Sequence, residues 1–138
     1  RPEGDSGELV LTYAETVNYY YTVGRHWERQ AMIKVRPIAG DIKLGKAFVK
    51  ELIPWIYSTH VSYDHIGQAR SMRRRIEERA ETLDLKAGFG GIRDIEFLVQ
   101  HLQLLYGGRY KDLRNQTTIE SLRLLMQHGL LPSEEVQD

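Results

Sequence analysis

The 138 residues contain no cysteine, which excludes disulfides and thiolate metal sites. Charge of one sign is missing too. Nineteen Lys and Arg balance nineteen Asp and Glu, so no global field draws nucleic acid or an anionic membrane, and any anion site must be built locally. No apolar run approaches the length of a membrane span. No signal-peptide pattern is visible, and a cytoplasmic setting is the expectation. The five histidines show no His-x-x-x-His spacing. No serine, cysteine or histidine constellation suggests covalent catalysis. Few segments alternate with a strand's period of two; Glu8 to Leu11 is the one short candidate.

What is present is helical periodicity over a length suited to one domain with a sizeable core. Thr12 and Glu15 have the spacing of a capping box, and Tyr13, Val17 and Tyr20 recur as an apolar stripe behind it. Gly24 interrupts that helix. A second is expected from about Arg25 to Val35, stopped by Pro37. Asp41 can cap a third, running to about Tyr57, with Pro54 expected to kink it or end it early. From Asp64 to about Glu81, Ile66, Ala69, Met72, Ile76 and Ala80 step by three and four. Another helix spans Ile92 to Tyr106 and stops at Gly107-Gly108; Thr117 or Thr118 opens the next, which ends before Gly129. Pro132 and Ser133 suggest one more start. The expected fold is mainly α, a bundle-like arrangement of about six helices with little or no sheet.

The segment 85–97 stands out because a glycine cluster runs directly into an apolar helix with charge in its first turns. On a wheel of about 100° per residue, Ile92, Ile95, Val99, Leu102 and Tyr106 form one seam, while Phe97 with Leu104 and Leu98 with Leu105 cover two further directions. Such a helix should be largely buried. Its polar residues fall on two strips, Arg93-Glu96-Gln100-Gln103 and Asp94-His101. A buried carboxylate needs a partner. Glu96 can pair with Arg93 at i,i+3 and lock the core, or it can serve a site. Helix N-termini carry free N–H groups and positive dipole, and glycines such as Gly90 and Gly91 let an anion approach closely. Lys86 and Arg93 flank the loop.

Arg25, Arg29 and Arg36 lie within ~40° of one another on an ideal wheel. They read either as a phosphate grip or as a solvated face. Trp27, Ala31 and Val35 are the expected core face opposite, with Lys34 beside Trp27, snorkelling or aimed into a cleft. Arg70, Arg73, Arg74, Arg75 and Arg79 read as a salt-bridged solvent face, because Glu77 and Glu78 lie four residues after Arg73 and Arg74.

Three motifs occur in order: Arg1-Pro2-Glu3-Gly4-Asp5-Ser6-Gly7, then Gly24 to Arg36 (GRHWERQAMIKVR), then Leu85 to Phe97 (LKAGFGGIRDIEF). Together they resemble the bacterial glutamine synthetase adenylyltransferases, bifunctional enzymes that add and remove adenylyl groups, and the likeness runs over essentially the whole chain. The resemblance implies two related nucleotidyltransferase halves, each an α/β core followed by helices. One attaches AMP to a tyrosine of glutamine synthetase; the other removes it by phosphorolysis, giving ADP. PII-type signal proteins and glutamine regulate the balance. Residues 1–11 then correspond to the tail of one core, and 12–138 to the helical region lining and following it. Arg93 after Gly-Gly-Ile, with Trp27-Glu28-Arg29, looks more like the adenylyl-removing half.

On that resemblance, Lys34, Arg36, Lys86 and Arg93 are the expected phosphate or nucleotide contacts, Gly90 and Gly91 permit close approach, and Asp94 and Glu96 orient the cations. The turn-rich opening segment reads as a loop entered from upstream, so the chain is expected to be part of a longer protein. The family's Mg2+-binding aspartates lie before the Arg-Pro motif and are not among these residues. The chain by itself is therefore expected to be inactive, with ATP, ADP and phosphate as ligands of the longer enzyme. Glutamine synthetase and a PII protein are the expected partners; nucleic acid and membrane are not. The competing readings are a docking module for those partners without a catalytic role, and a structural connector.

Overall fold

Thr12 starts the first helix as its spacing predicts. A computed structural model describes residues 10–58, Gly67, Ser71, Arg74 and residues 92–131. In it the Glu15 amide donates to the Thr12 hydroxyl at 3.3 Å and the Thr12 amide donates to the Glu15 carboxylate at 2.8 Å. Both ends of the box satisfy groups that a helix terminus otherwise leaves open. Helix α1 spans Tyr13–Thr22. Gly24 ends it by donating to Tyr19 O at 3.0 Å. No larger residue fits there: a Cβ would meet Tyr20 O at 2.4 Å and the Trp55 ring at 2.6 Å.

Helix α2 covers only His26–Met32 and gives way to a turn, shorter than the sequence suggests. Helix α3, Ile42–Ile56, is capped by Asp41, whose carboxylate accepts from the amides of Lys43 and Leu44 at 2.9 and 3.0 Å. Pro54 neither ends it nor shortens it. The Tyr57 amide still reaches Ile53 O at 2.9 Å, and the last turn buries Leu52, Trp55 and Ile56. Proline costs a helix one donor bond; the burial of these side chains, about 1.5–3 kcal/mol each for residues of this size, offsets it. Tyr13 and Tyr20 stack edge-on against Phe48, at 5.8 and 6.2 Å, so the expected stripe joins α1 to α3.

Helix α4, Ile92–Tyr106, has the predicted bounds. Every residue from Leu98 to Leu104 is buried, because the helix lies between two clusters. Leu104 joins Ile33, Leu52, Trp55, Ile56 and Tyr57 on one side. Leu98, Val99 and Leu102 join Leu113, Leu125 and Leu131 on the other. The first turns depart from the expected burial: Ile92 is 76% exposed and Arg93 is exposed. A short 3-10 turn, Lys111–Leu113, leads to helix α5, Thr118–Gln127.

No strand occurs among the described residues, and Val10 and Leu11 are irregular. Gly67, Ser71 and Arg74 are helical and exposed. The rest of the helix expected at 64–81, the loop at 85–91 and the start expected at Pro132 lie outside the described residues.

Candidate functional site at the junction of α2, α4 and α5

The end of α2 carries Lys34 toward the first turns of α4, where its ammonium forms an ion pair with Glu96. Lys34 also reaches the Thr118 hydroxyl at 3.5 Å, at the start of α5. One turn along α4, Gln100 donates to the same Glu96 oxygen at 3.5 Å and accepts from the Gln30 amide at 2.8 Å. Gln116 closes the seam by donating to Val35 O at 2.8 Å. Three segments remote in sequence therefore share one polar seam. Lys34 and Glu96 side chains keep 39% and 35% exposure, so the seam opens to solvent at this end, while Gln100 is buried.

Glu96 thus takes Lys34 rather than Arg93. Arg93 lies over the Phe97 ring, 5.6 Å from its centroid, and is exposed, as is Arg36; Asp94 is partly buried. Of the expected site residues, Lys34 and Glu96 are joined directly and Arg93 sits one turn before Glu96. Lys86, Gly90 and Gly91 lie outside the described residues.

The expected core face of α2 is corrected. Trp27 is 64% exposed, Ala31 is exposed and Val35 only partly buried. The inward residues are Glu28 and, past the helix end, Ile33, which are buried, with Arg29 partly buried beside them. Two causes are visible. The helix ends at Met32, so Val35 no longer obeys the wheel. In addition, Glu28 is held from two sides, accepting from the Arg25 amide at 2.7 Å and the Tyr19 hydroxyl at 2.9 Å, and that contact with α1 turns its face inward. The bond to Glu28 raises the Tyr19 pKa above its ordinary value. Arg29 lies over the Trp55 ring at 5.2 Å.

Three further candidates, all glutamines, escape a reading of charge. Gln30 and Gln100 are neutral, and only their helical offsets from Lys34 and Glu96 hint at them. Gln103 is a clamp: its buried amide lies 2.7 Å from Leu113 O, 2.7 Å from Asn115 O and 2.9 Å from the Ser121 hydroxyl. A glutamine on an otherwise apolar helix was the signal.

The described residues of the seam do not fit a divalent cation. Among the described residues no group of three or more His, Cys, Asp or Glu could hold a metal ion, and Glu96 is engaged by Lys34. What the seam offers is one ammonium paired with Glu96, three side-chain amides and a hydroxyl. No described helix is long and apolar enough to cross a membrane.

Two family models match the chain. One described as glutamate-ammonia ligase adenylyltransferase matches residues 1–51. One described as GlnD PII-uridylyltransferase matches residues 66–138. Relatives named bifunctional glutamine synthetase adenylyltransferase/adenylyl-removing enzyme match nearly the whole chain. That of Hahella chejuensis is 40% identical over 136 residues, 96% of this chain. Those of Mesorhizobium japonicum and Mycolicibacterium smegmatis are 38% and 37% identical over 97% and 98% of it. Over nearly its whole length the chain is similar to these bifunctional adenylyltransferases, and through residues 66–138 it belongs to the family described as GlnD PII-uridylyltransferase. It spans 14% of the length of each of these three relatives.

Proposed function

We propose that this chain forms the helical wall of a nucleotidyltransferase centre in an enzyme that adenylylates and deadenylylates a tyrosine of glutamine synthetase, and that it serves the deadenylylating, phosphorolytic half. The observation that carries the reading is the Lys34–Glu96 pair, which fastens the Gly24–Arg36 motif to the helix carrying Arg93. In this reading residues 1–11 continue from the catalytic core and 12–138 line and follow it. Glu96 and Gln100 fix Lys34. Arg36 and Arg93, both exposed, meet phosphate or nucleotide oxygens of ADP, ATP or inorganic phosphate. Lys86, Gly90 and Gly91 complete the anion contacts, and Asp94 orients the cations from the same helix.

Mg2+ would be held by carboxylates of the longer enzyme, and the chain alone is proposed to be inactive. A PII signal protein and glutamine synthetase are the proposed partners, and a cytoplasmic setting follows from them. The test grafts this chain into the Hahella chejuensis relative in place of its matching segment. Arg93→Ala in that chimera should raise the KM for phosphate in adenylyl removal. Unchanged phosphorolysis kinetics would remove Arg93 from the site.

A further inference from the structure

Arg29 is a cation that no carboxylate pairs among the described residues. Its guanidinium is stacked 5.2 Å from the centroid of the Trp55 ring. Its Nε is shut off from solvent yet has no hydrogen-bond partner. The ion pairs among the described residues are Lys34–Glu96, Arg123–Glu120 and His128–Asp112, and Arg29 is in none of them. The nearby buried carboxylate, Glu28, is already held by the Tyr19 hydroxyl and the Arg25 amide. Burial alone lowers the Arg29 pKa from its ordinary value, with no opposing carboxylate to restore it.

Arg114 shows what the same chain does with a purely structural arginine. It lies over Tyr57 at 5.3 Å, the same stacking geometry. Unlike Arg29, it also donates from Nε to Gly107 O at 2.7 Å and from Nη2 to Gly108 O at 3.5 Å. Stacking on an aromatic ring therefore does not by itself account for the open donor on Arg29. Leaving a charged donor out of water and unpaired is costly. An arginine fork with free N–H groups matches the paired oxygens of a phosphate or carboxylate.

We propose that Arg29, with the exposed Arg25 one helical turn before it, forms a binding site for an oxyanion, a phosphate or carboxylate group of a small ligand. This site is separate from the Lys34–Glu96 seam and does not depend on the reading given above for it.

Trp55 beneath the guanidinium is the reporter. In a Trp27→Phe background, which silences the other, exposed tryptophan, the 138-residue chain is titrated with inorganic phosphate and separately with acetate, at constant ionic strength set with chloride. A saturable change in Trp55 emission is expected with at least one of them, and whichever produces it names the source of the oxyanion. Arg29→Gln should weaken that binding about tenfold or more, and Arg29→Lys, which keeps the charge without the fork, should weaken it less. Arg123→Gln, which opens only the surface pair with Glu120, should leave it unchanged.

Thermal melts of each variant, with and without the anion, establish that it is folded and give a second readout: the anion should raise the melting temperature of the parent chain and not that of Arg29→Gln. If Arg29→Gln does not fold, Arg29→Lys carries the comparison. No saturable response to either anion, or an equal response after loss of the Arg29 fork, overturns the proposal and leaves Arg29 as packing for Trp55.

Discussion

Lys34 and Glu96, 62 positions apart in the chain, form an ion pair that ties the end of α2 to the first turns of α4. Both side chains are about a third exposed or more, so solvent screens the pair. A double-mutant cycle of Lys34→Met and Glu96→Gln, read by denaturant unfolding, should give a coupling of only ~0.2–1 kcal/mol. That coupling should shrink as salt is added. A pair this weak does little for stability.

Gly107 should be far less tolerant than its place at a helix end suggests. A Cβ there would meet Gln103 O at 2.5 Å and the Tyr57 ring at 2.5 Å. Neither neighbour gives way easily, since one is backbone and the other lies in the core with Ile33 and Leu52. Gly107→Ala should destabilise by ~1–3 kcal/mol, the usual range for overpacking, whereas alanine at Gly67, with open space around it, should not. Urea unfolding of the two variants checks the contrast.

Removing the Gln103 amide should cost more than one hydrogen bond. Gln103→Leu keeps the bulk and removes the two N–H groups shared among Leu113 O, Asn115 O and the Ser121 hydroxyl, which still donates to Thr117 O. Buried acceptors left open cost ~1–3 kcal/mol each. Calorimetric melting should show a lowered transition, and amide exchange should speed up first around Leu113–Thr117.

Stability should fall at both ends of the pH range through different groups. Burial pushes the Tyr57 phenol up to about 12. Its contribution is therefore complete below the ordinary tyrosine value near 10.0 and is lost as pH rises toward about 12. Tyr57→Phe should remove the latest step of an ultraviolet phenolate titration. On the acid side, the hydrogen bond from His128, 2.7 Å away, holds the Asp112 carboxyl below its ordinary value. That contribution is present above the ordinary carboxylate range and is lost as pH falls through the lowered value. Asp112→Asn should flatten the acid limb of melting temperature against pH.

The sequence made some of this legible and hid the rest for physical reasons. Capping chemistry is local, so Thr12 with Glu15 and Asp41 were readable from spacing alone. The bounds of α4 were equally clear, since its apolar residues keep helical spacing up to Gly107. The orientation of α2 was not, because a seven-residue helix is turned by contacts from outside it. Tyr19 draws Glu28 inward, Arg29 settles on Trp55, and Trp27 is left to solvent. Pro54 misled in the other direction: a local rule about lost donors yielded to three buried side chains in the same turn. At the candidate site, Lys34 and Glu96 were each identified, but their partnership spans two helices and no spacing encodes it.

The most direct test of the central claim measures both activities of the Hahella chejuensis relative carrying this chain in place of its own segment. Arg36→Ala with Arg93→Ala in that chimera should slow phosphorolytic removal of AMP from glutamine synthetase about tenfold or more, the loss expected for charge-assisted contacts, and should leave AMP attachment within about twofold. Equal slowing of both activities, or of neither, would contradict the assignment of this helical wall to the deadenylylating centre.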